Sequence, residues 1–241
     1  MRRRQLVHLL AALTVLTLAG CGSHAGEQAT PLPTPTPAEL LDLASQRLAD
    51  TPAVHFVLEV EGETFVDPLA EMLLLRAEGD LQRPDRVRTS LQLEIVGRVI
   101  SLLLVSVGDQ AWMTDLLTGE WGAAPLEFTY RPGVIFSPEH GLAPMMERVQ
   151  DVKRLDDEAI DGRPAYHVRA SVAQSDVNEL TNYTIKGSLL TVDFWIDRET
   201  QALLRVRIAE PPDPQRPHPA VWTIDFSHHG EDITIEPPVQ D

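Results

Sequence analysis

The sequence predicts a mainly-β fold, an antiparallel sheet system with a few helices (α+β). Three observations carry this. About nine stretches alternate apolar and polar residues with the two-residue period of a half-buried strand. The links between successive stretches are too short for a parallel crossover, which needs about a dozen residues or more. Helical spacing is plain in only one segment, Ala38 to Asp50.

The chain starts with Arg2, Arg3 and Arg4 and an apolar run from Leu6 to Leu18, the pattern of an export signal. That run is too short to span a bilayer comfortably. It ends in Leu18, Ala19 and Gly20 before Cys21, the single cysteine of the chain, and this matches the lipobox of bacterial lipoproteins. The expectation is a signal peptide over 1–20. Cys21 then becomes an acylated N-terminus carrying S-diacylglycerol and N-palmitoyl groups. The product is extracytoplasmic and lipid-anchored to the cell membrane. A free thiol behind a generic signal is the alternative. Residues 21–37 form a Pro/Thr-rich tether, in which Pro31, Pro33, Pro35 and Pro37 favour extended polyproline geometry. At about 3.1 Å per residue it reaches on the order of 50 Å.

Residues 38–241 are expected to be a single domain. Leu40, Leu41, Ala44 and Leu48 make the apolar stripe of its first helix, with Pro37 in the first turn and Thr51-Pro52 as the stop. Val54, Phe56, Leu58 and Val60 then alternate as a strand. Leu73, Leu75 and Ala77 follow, and after the Arg83-Pro84-Asp85 turn come Val87, Thr89, Leu91, Leu93 and Ile95. Val99–Val107 is apolar on both faces, and turns at Gly108-Asp109-Gln110 and Thr118-Gly119-Glu120-Trp121 frame Ala111–Leu116. Around Arg131-Pro132-Gly133 the rhythm breaks. Glu139–Val149 reads as a short helix, Asp151–Ile160 as a polar strand, and Asp161-Gly162 as a hairpin turn into Tyr166–Val172. Gln174–Tyr183 reads as a small helix. Strands through Val192, Phe194 and Ile196, through Leu204, Val206 and Ile208, and through Ala220, Trp222, Ile224 and Phe226 complete the chain.

Charge excludes one class of partner. Without residues 1–20 the basic count falls from 20 to 17 against 36 acidic residues, a net charge of −19. Such a surface repels nucleic acid and anionic headgroups. With one cysteine there is no disulfide, so burial must supply the stability.

So much apolar strand surface needs cover, because large exposed patches are rare on soluble proteins. Two packed sheets would provide it. So would one strongly curved sheet closing over a few helices, which can leave an apolar cavity. Met72-Leu73-Leu74-Leu75 and Met145-Met146, beside chain breaks, suit an adaptable apolar lining. Candidate lining residues are Phe56, Leu58, Leu73, Leu75, Leu91, Leu93, Met145, Met146, Phe194, Ile196, Val206 and Trp222. The same side chains would fill the core of a sandwich.

Catalytic motifs are missing from the sequence. It has no Gly-x-Ser-x-Gly elbow, phosphate loop or dinucleotide fingerprint. His55, His140, His167 and His218 lack partners at metal-ligand spacing, and His228-His229, adjacent on a strand, point to opposite faces. Asp156-Asp157-Glu158 lacks a calcium-loop glycine, and Asn182-Tyr183-Thr184 is a chance sequon. No enzyme, metal or cofactor is expected.

The order of lipobox, tether, helix running into "VHFVLEVEG", "GDQAWM" and "DGRPAYHVRASV" resembles the LppX/LprAFG lipoproteins over about residues 38–235. The resemblance implies a half-barrel, with helices on the concave side of a bent antiparallel sheet. It implies an enclosed apolar cavity that shelters acyl chains, an architecture shared by the Lol-type lipoprotein carriers (LolA and LolB). It further implies a carrier whose cargo is membrane lipids or glycolipids, and it leaves any envelope transporter partner unnamed. An envelope sensor or interaction protein without cargo is the alternative; a lipid-modifying hydrolase is the third.

Overall fold

The structure, a computed structural model, describes residues 34–66, 71–125 and 132–239. The lipobox, Cys21 and most of the tether lie outside the described residues. Helix α1 spans Pro37–Ala49 and α2 spans Leu142–Arg148; single 3-10 turns cover Pro132–Phe136 and Gln174–Asp176. The strands are β1 (Ala53–Glu61), β2 (Met72–Gln82), β3 (Arg86–Ile95), β4 (Arg98–Val107), β5 (Gln110–Thr114), β6 (Trp121–Ala123), β7 (Gln150–Arg154), β8 (Glu158–Ile160), β9 (Arg163–Ala173), β10 (Leu189–Asp197), β11 (Leu203–Ala209) and β12 (Val221–Ser227). They form one curved, open antiparallel sheet, not the two sheets of a sandwich. Its order is β6-β5-β4-β3-β2-β1-β12-β11-β10-β9-β7, with β8 folded against β9. The first strand and the last therefore meet in the middle, and each flank is a run of neighbouring strands.

Helix α1 begins with a reciprocal cap. The Thr36 hydroxyl accepts from the Glu39 amide at 3.3 Å, while the Thr36 amide donates to the Glu39 carboxylate at 2.7 Å. Its stripe of Leu40, Leu41, Ala44 and Leu48 is buried, and the Ser45 hydroxyl donates to the Ala143 carbonyl of α2 at 3.0 Å. Arg83 fastens the far end of α1, donating to the carbonyls of Leu48, Thr51 and Phe136 at 3.0, 2.9 and 3.0 Å. Burial holds this guanidinium below its ordinary value.

The strand registers carry one apolar ladder across the inner face. Phe56 pairs with Phe226, Leu58 with Ile224, Val206 with Ile224 and Phe194 with Val206. With both helices these residues make a single core cluster. The alternation predicted for β2 needs correction. Leu74 pairs with Leu93 and Arg76 with Gln92, leaving Leu75 as the extra residue of a bulge. Leu74 and Ala77 therefore turn inward and are buried, whereas Leu73 lies beside Glu94 on the opposite face. Leu73 and Leu75 are only half-buried.

Other differences are local. The polar strand predicted over 151–160 is split into β7 and β8 by a break at Leu155–Asp157. The small helix predicted over Gln174–Tyr183 is a 3-10 turn followed by turns, with Asn182 and Tyr183 at positive φ. β12 stops at Ser227, so His228 and His229 lie beyond the strand, His228 at φ 52°.

Candidate functional site

The inner face is unevenly covered. On the β9–β12 flank the predicted lining residues Phe194, Ile196 and Val206 have no exposed surface, and Trp222 is 2% exposed. The Trp222 indole donates to the Thr64 hydroxyl at 3.1 Å. Met145 and Met146 are buried on the inward side of α2 itself, and Phe56, Leu58, Leu91 and Leu93 are buried in the sheet. On the β2–β6 flank, Met72, Ile100, Ala111, Met113 and Ala124 touch the same core but remain half-open. The structure thus brings ten of the twelve predicted residues into one cluster and leaves out Leu73 and Leu75.

At the edge of this open flank the β5–β6 hairpin forms a cleft of about 640 Å³. Its lining includes Met113, Leu116, Leu117, Trp121 and Gly122, and none of the twelve predicted residues. The turn is held by its own bonds. The Asp115 carboxylate accepts from the amides of Leu117 and Thr118 at 2.8 and 2.9 Å, and the Gly119 amide donates to the Asp115 carbonyl at 2.9 Å. Those amide donors hold the Asp115 carboxyl below its usual range. A sequence signal for this region did exist: two consecutive leucines stand where turn chemistry calls for polar residues.

The outer face of β9–β11 carries a polar cluster. Asp193, 1% exposed, accepts from Arg169 Nε at 2.7 Å and sits 3.0 Å from His167 Nε2. The other His167 ring nitrogen lies 3.0 Å from Glu158, and its ring stacks on Trp195 with centroids 4.3 Å apart. Both imidazole nitrogens thus face carboxylates, leaving neither to activate a nucleophile. The alternation of β10 had placed Asp193 and Trp195 away from the core. They are buried nonetheless, because Trp195 packs with Ile160, Ala165 and Leu204 in a second cluster, β8 supplying Ile160. Among the described residues there is no group of three or more His, Cys, Asp or Glu side chains suited to a metal.

Comparison with known proteins adds three results. The model of the LppX_LprAFG lipoprotein family matches residues 36–235. The lipoarabinomannan carrier protein LprG of Mycolicibacterium hassiacum is 27% identical over 247 residues, covering 99% of each chain. The protein of the same name from Mycobacteroides abscessus is 23% identical over 242 residues, covering 100% of each. Among solved structures, LprF from Mycobacterium bovis superposes with a TM-score of 0.67 at 19% identity, covering 86% of this chain and 98% of that one. LppX from Mycobacterium tuberculosis gives 0.60 at 15% identity, covering 83% and 98%. At such identities the structures speak for the fold.

Proposed function

Because the chain belongs to the LppX_LprAFG lipoprotein family, we propose that it is a membrane-anchored extracytoplasmic carrier that shelters acyl chains of lipids or glycolipids against its inner sheet face. The observation that carries this is a mismatch of areas. Eleven strands in sequence across the sheet, at about 4.8 Å each, span roughly 50 Å. Helices α1 and α2, with 13 and 7 residues, are only about 20 and 10 Å long at 1.5 Å per residue. Helix α1 rests on β7 and β11, and the 3-10 turn at Pro132–Phe136 rests on β3. Val177, Leu180 and Ile185 of the β9–β10 connection join the core, so cover is thinnest toward β4–β6. The open residues of β2–β6 (Met72, Ile100 and Met113 foremost) then supply the surface for hydrocarbon. This shifts the proposed lining from the residues read in the sequence toward the β4–β6 edge.

The energetics suit such a role. Each methylene taken out of water contributes about 0.8 kcal/mol, so acyl chains bind to shape and area while the headgroup selects at the mouth. The relatives' name, lipoarabinomannan carrier protein, makes acylated glycolipids the first cargo to test. Acylation of Cys21 would hold the carrier at the membrane, and the tether of residues 21–37 would give it reach. No step of this role requires bond-making chemistry.

The competing reading is an envelope sensor without cargo, favoured by the zero exposure of Phe194, Ile196 and Val206. Native mass spectrometry of protein purified from membranes without added lipid decides between them. Copurifying lipid masses that disappear on solvent extraction are expected. Repeated recovery of bare protein, with no uptake from vesicles, would sink the carrier reading.

A further inference from the structure

The two rims of the sheet differ in chemistry. The registers place the turns Arg83–Asp85, Gly108–Asp109, Asp161–Gly162, Arg198–Thr200 and His228–Gly230 at one rim. Their residues are polar, charged, glycine or proline, and none of the large exposed apolar side chains of the described residues belongs to these turns. The other rim holds the Val96–Gly97 turn, the Asp115–Glu120 turn, residues 62–66 after β1, the connection from β9 to β10, and the proline-rich β11–β12 loop with Asp213 and His218 exposed. There Val96 is 93% exposed, Leu117 95%, Val99 60%, Tyr183 58%, Leu116 51% and Leu189 48%. Among described residues only Leu43, Leu103 and Val239 are comparably exposed elsewhere.

Two details separate this rim from incidental exposure. Val96 and Tyr183 sit at φ 49° and 61°, left-handed geometry that a β-branched or aromatic residue adopts only at a cost. An asparagine or glycine would relieve both the strain and the exposure. In the Asp115–Glu120 turn, the amides of Leu117, Thr118 and Gly119 are already bonded within the turn. These three amides can therefore enter a low-dielectric phase already paired.

We propose that this rim docks into the hydrocarbon boundary of a lipid bilayer, inserting the tips at Val96 and Leu116–Leu117 with Tyr183 at the headgroup level. The apolar side chains stand on separate turns rather than in one flat patch, which suits a fluid partner that closes around each tip. A protein interface would want a contiguous, packed centre. The tether meets α1 at Pro37, the end of that helix away from the polar rim. The cleft bounded by Leu116, Leu117 and Trp121 opens at the docked rim, giving an acyl chain a route that avoids water. The proposal rests on the carrier reading for its purpose, but not for its physics. With a net charge of −19 beyond residue 20, docking is apolar and insensitive to salt.

The test uses the full acylated chain in phosphatidylcholine vesicles, with a single environment-sensitive dye on L117C or, at the polar rim, on E199C. Acylation leaves Cys21 unavailable to the dye. Brominated phosphatidylcholine should quench the Leu117 label at least two-fold and leave the Glu199 label unchanged, in low and high salt alike. Equal quenching of the two labels would overturn docking. So would a dimer, seen by sedimentation without vesicles, that shields the Leu117 label, since a second copy would then own the rim. The double variant V96N/Y183N, at two tips outside the cleft, should transfer a fluorescent lipid between vesicles at least five-fold more slowly, with copurifying lipid unchanged. Unchanged transfer overturns the proposal. Quenching at Leu117 in a protein that never carries lipid would sink the carrier reading and leave docking standing.

Discussion

Asp193 shows how one side chain ties the outer face together. It is buried; Arg169 of neighbouring β9 compensates its charge, the His167 ring lies 3.0 Å away on the same strand, and Arg207 approaches to 3.9 Å from β11. Removing one member of such a group leaves the rest uncompensated, at about 3–5 kcal/mol. Arg169→Ala, which deprives the buried Asp193 carboxylate of its bonded cation, is expected to lose stability toward that range, read as a lower midpoint in urea unfolding. Exposed pairs such as Arg154–Asp157 should change it by under about 1 kcal/mol. Two buried or part-buried groups contribute to the pH response in separate ranges. Burial lowers His229 below its ordinary value, outweighing the bond to the Leu203 carbonyl at 2.9 Å. A histidine kept neutral by folding contributes fully above about 6.5 and loses that contribution as pH falls below it. Burial raises the Asp197 carboxyl, but amide and hydroxyl donors from Thr200, the Arg163 charge and the Glu199 amide together bring it below its ordinary value. Its contribution is lost lower down, as pH drops through the carboxylate range. Unfolding midpoints from pH 8 to 3 should therefore fall in two stages, and His229→Gln should flatten the first alone.

At the scale of elements, helix α1 was legible almost to the residue, because Pro37 in its first turn and Thr51-Pro52 beyond its end mark its limits in local chemistry, and the Thr36–Glu39 cap seen in the structure sits where that start was read. Thr36→Ala should cost about 1 kcal/mol and leave the fold intact. The strands were legible wherever one face is apolar and the period unbroken, as in β1 and β12. β2 was not, because a bulge has no signature of its own. Met72 to Leu75 is apolar throughout, so nothing marks Leu75 as the extra residue, and the inward positions slip by one. β8 was hidden for a different reason: three residues cannot show a period. Close approach is equally silent in sequence. At Gly79 an added Cβ would fall on the Arg88 carbonyl oxygen and lie 2.6 Å from Thr89 Cα. Gly79→Ala should therefore force β2 and β3 apart, costing about 1–3 kcal/mol or more by thermal unfolding.

For the whole molecule, the choice between one sheet and two was beyond periodicity, since both bury the same side chains. What settles it is pairing between residues far apart, and the alternation within each strand says nothing of its partner. The candidate site was half legible for the same reason. Phe56, Leu93 and Phe194 announce themselves as inward, but how far each stands from helical cover depends on the place of its strand in the sheet. If the open flank takes hydrocarbon, saturating lipid should raise stability by about 2.7 kcal/mol at a hundred times the dissociation constant. That gain, seen as a higher melting temperature, should vanish with a water-soluble headgroup lacking acyl chains.

The meeting of β1 and β12 at the centre carries one more consequence. Leu58 finds Ile224, 166 positions later, so the two wings cannot be stitched until nearly all of the chain has emerged. Contacts of such long range form slowly. Each wing is built of hairpins that can close locally, and only the seam between them waits for β12. Truncation ahead of Val221 should leave two separate wings, each with an unsatisfied edge and a strong tendency to aggregate.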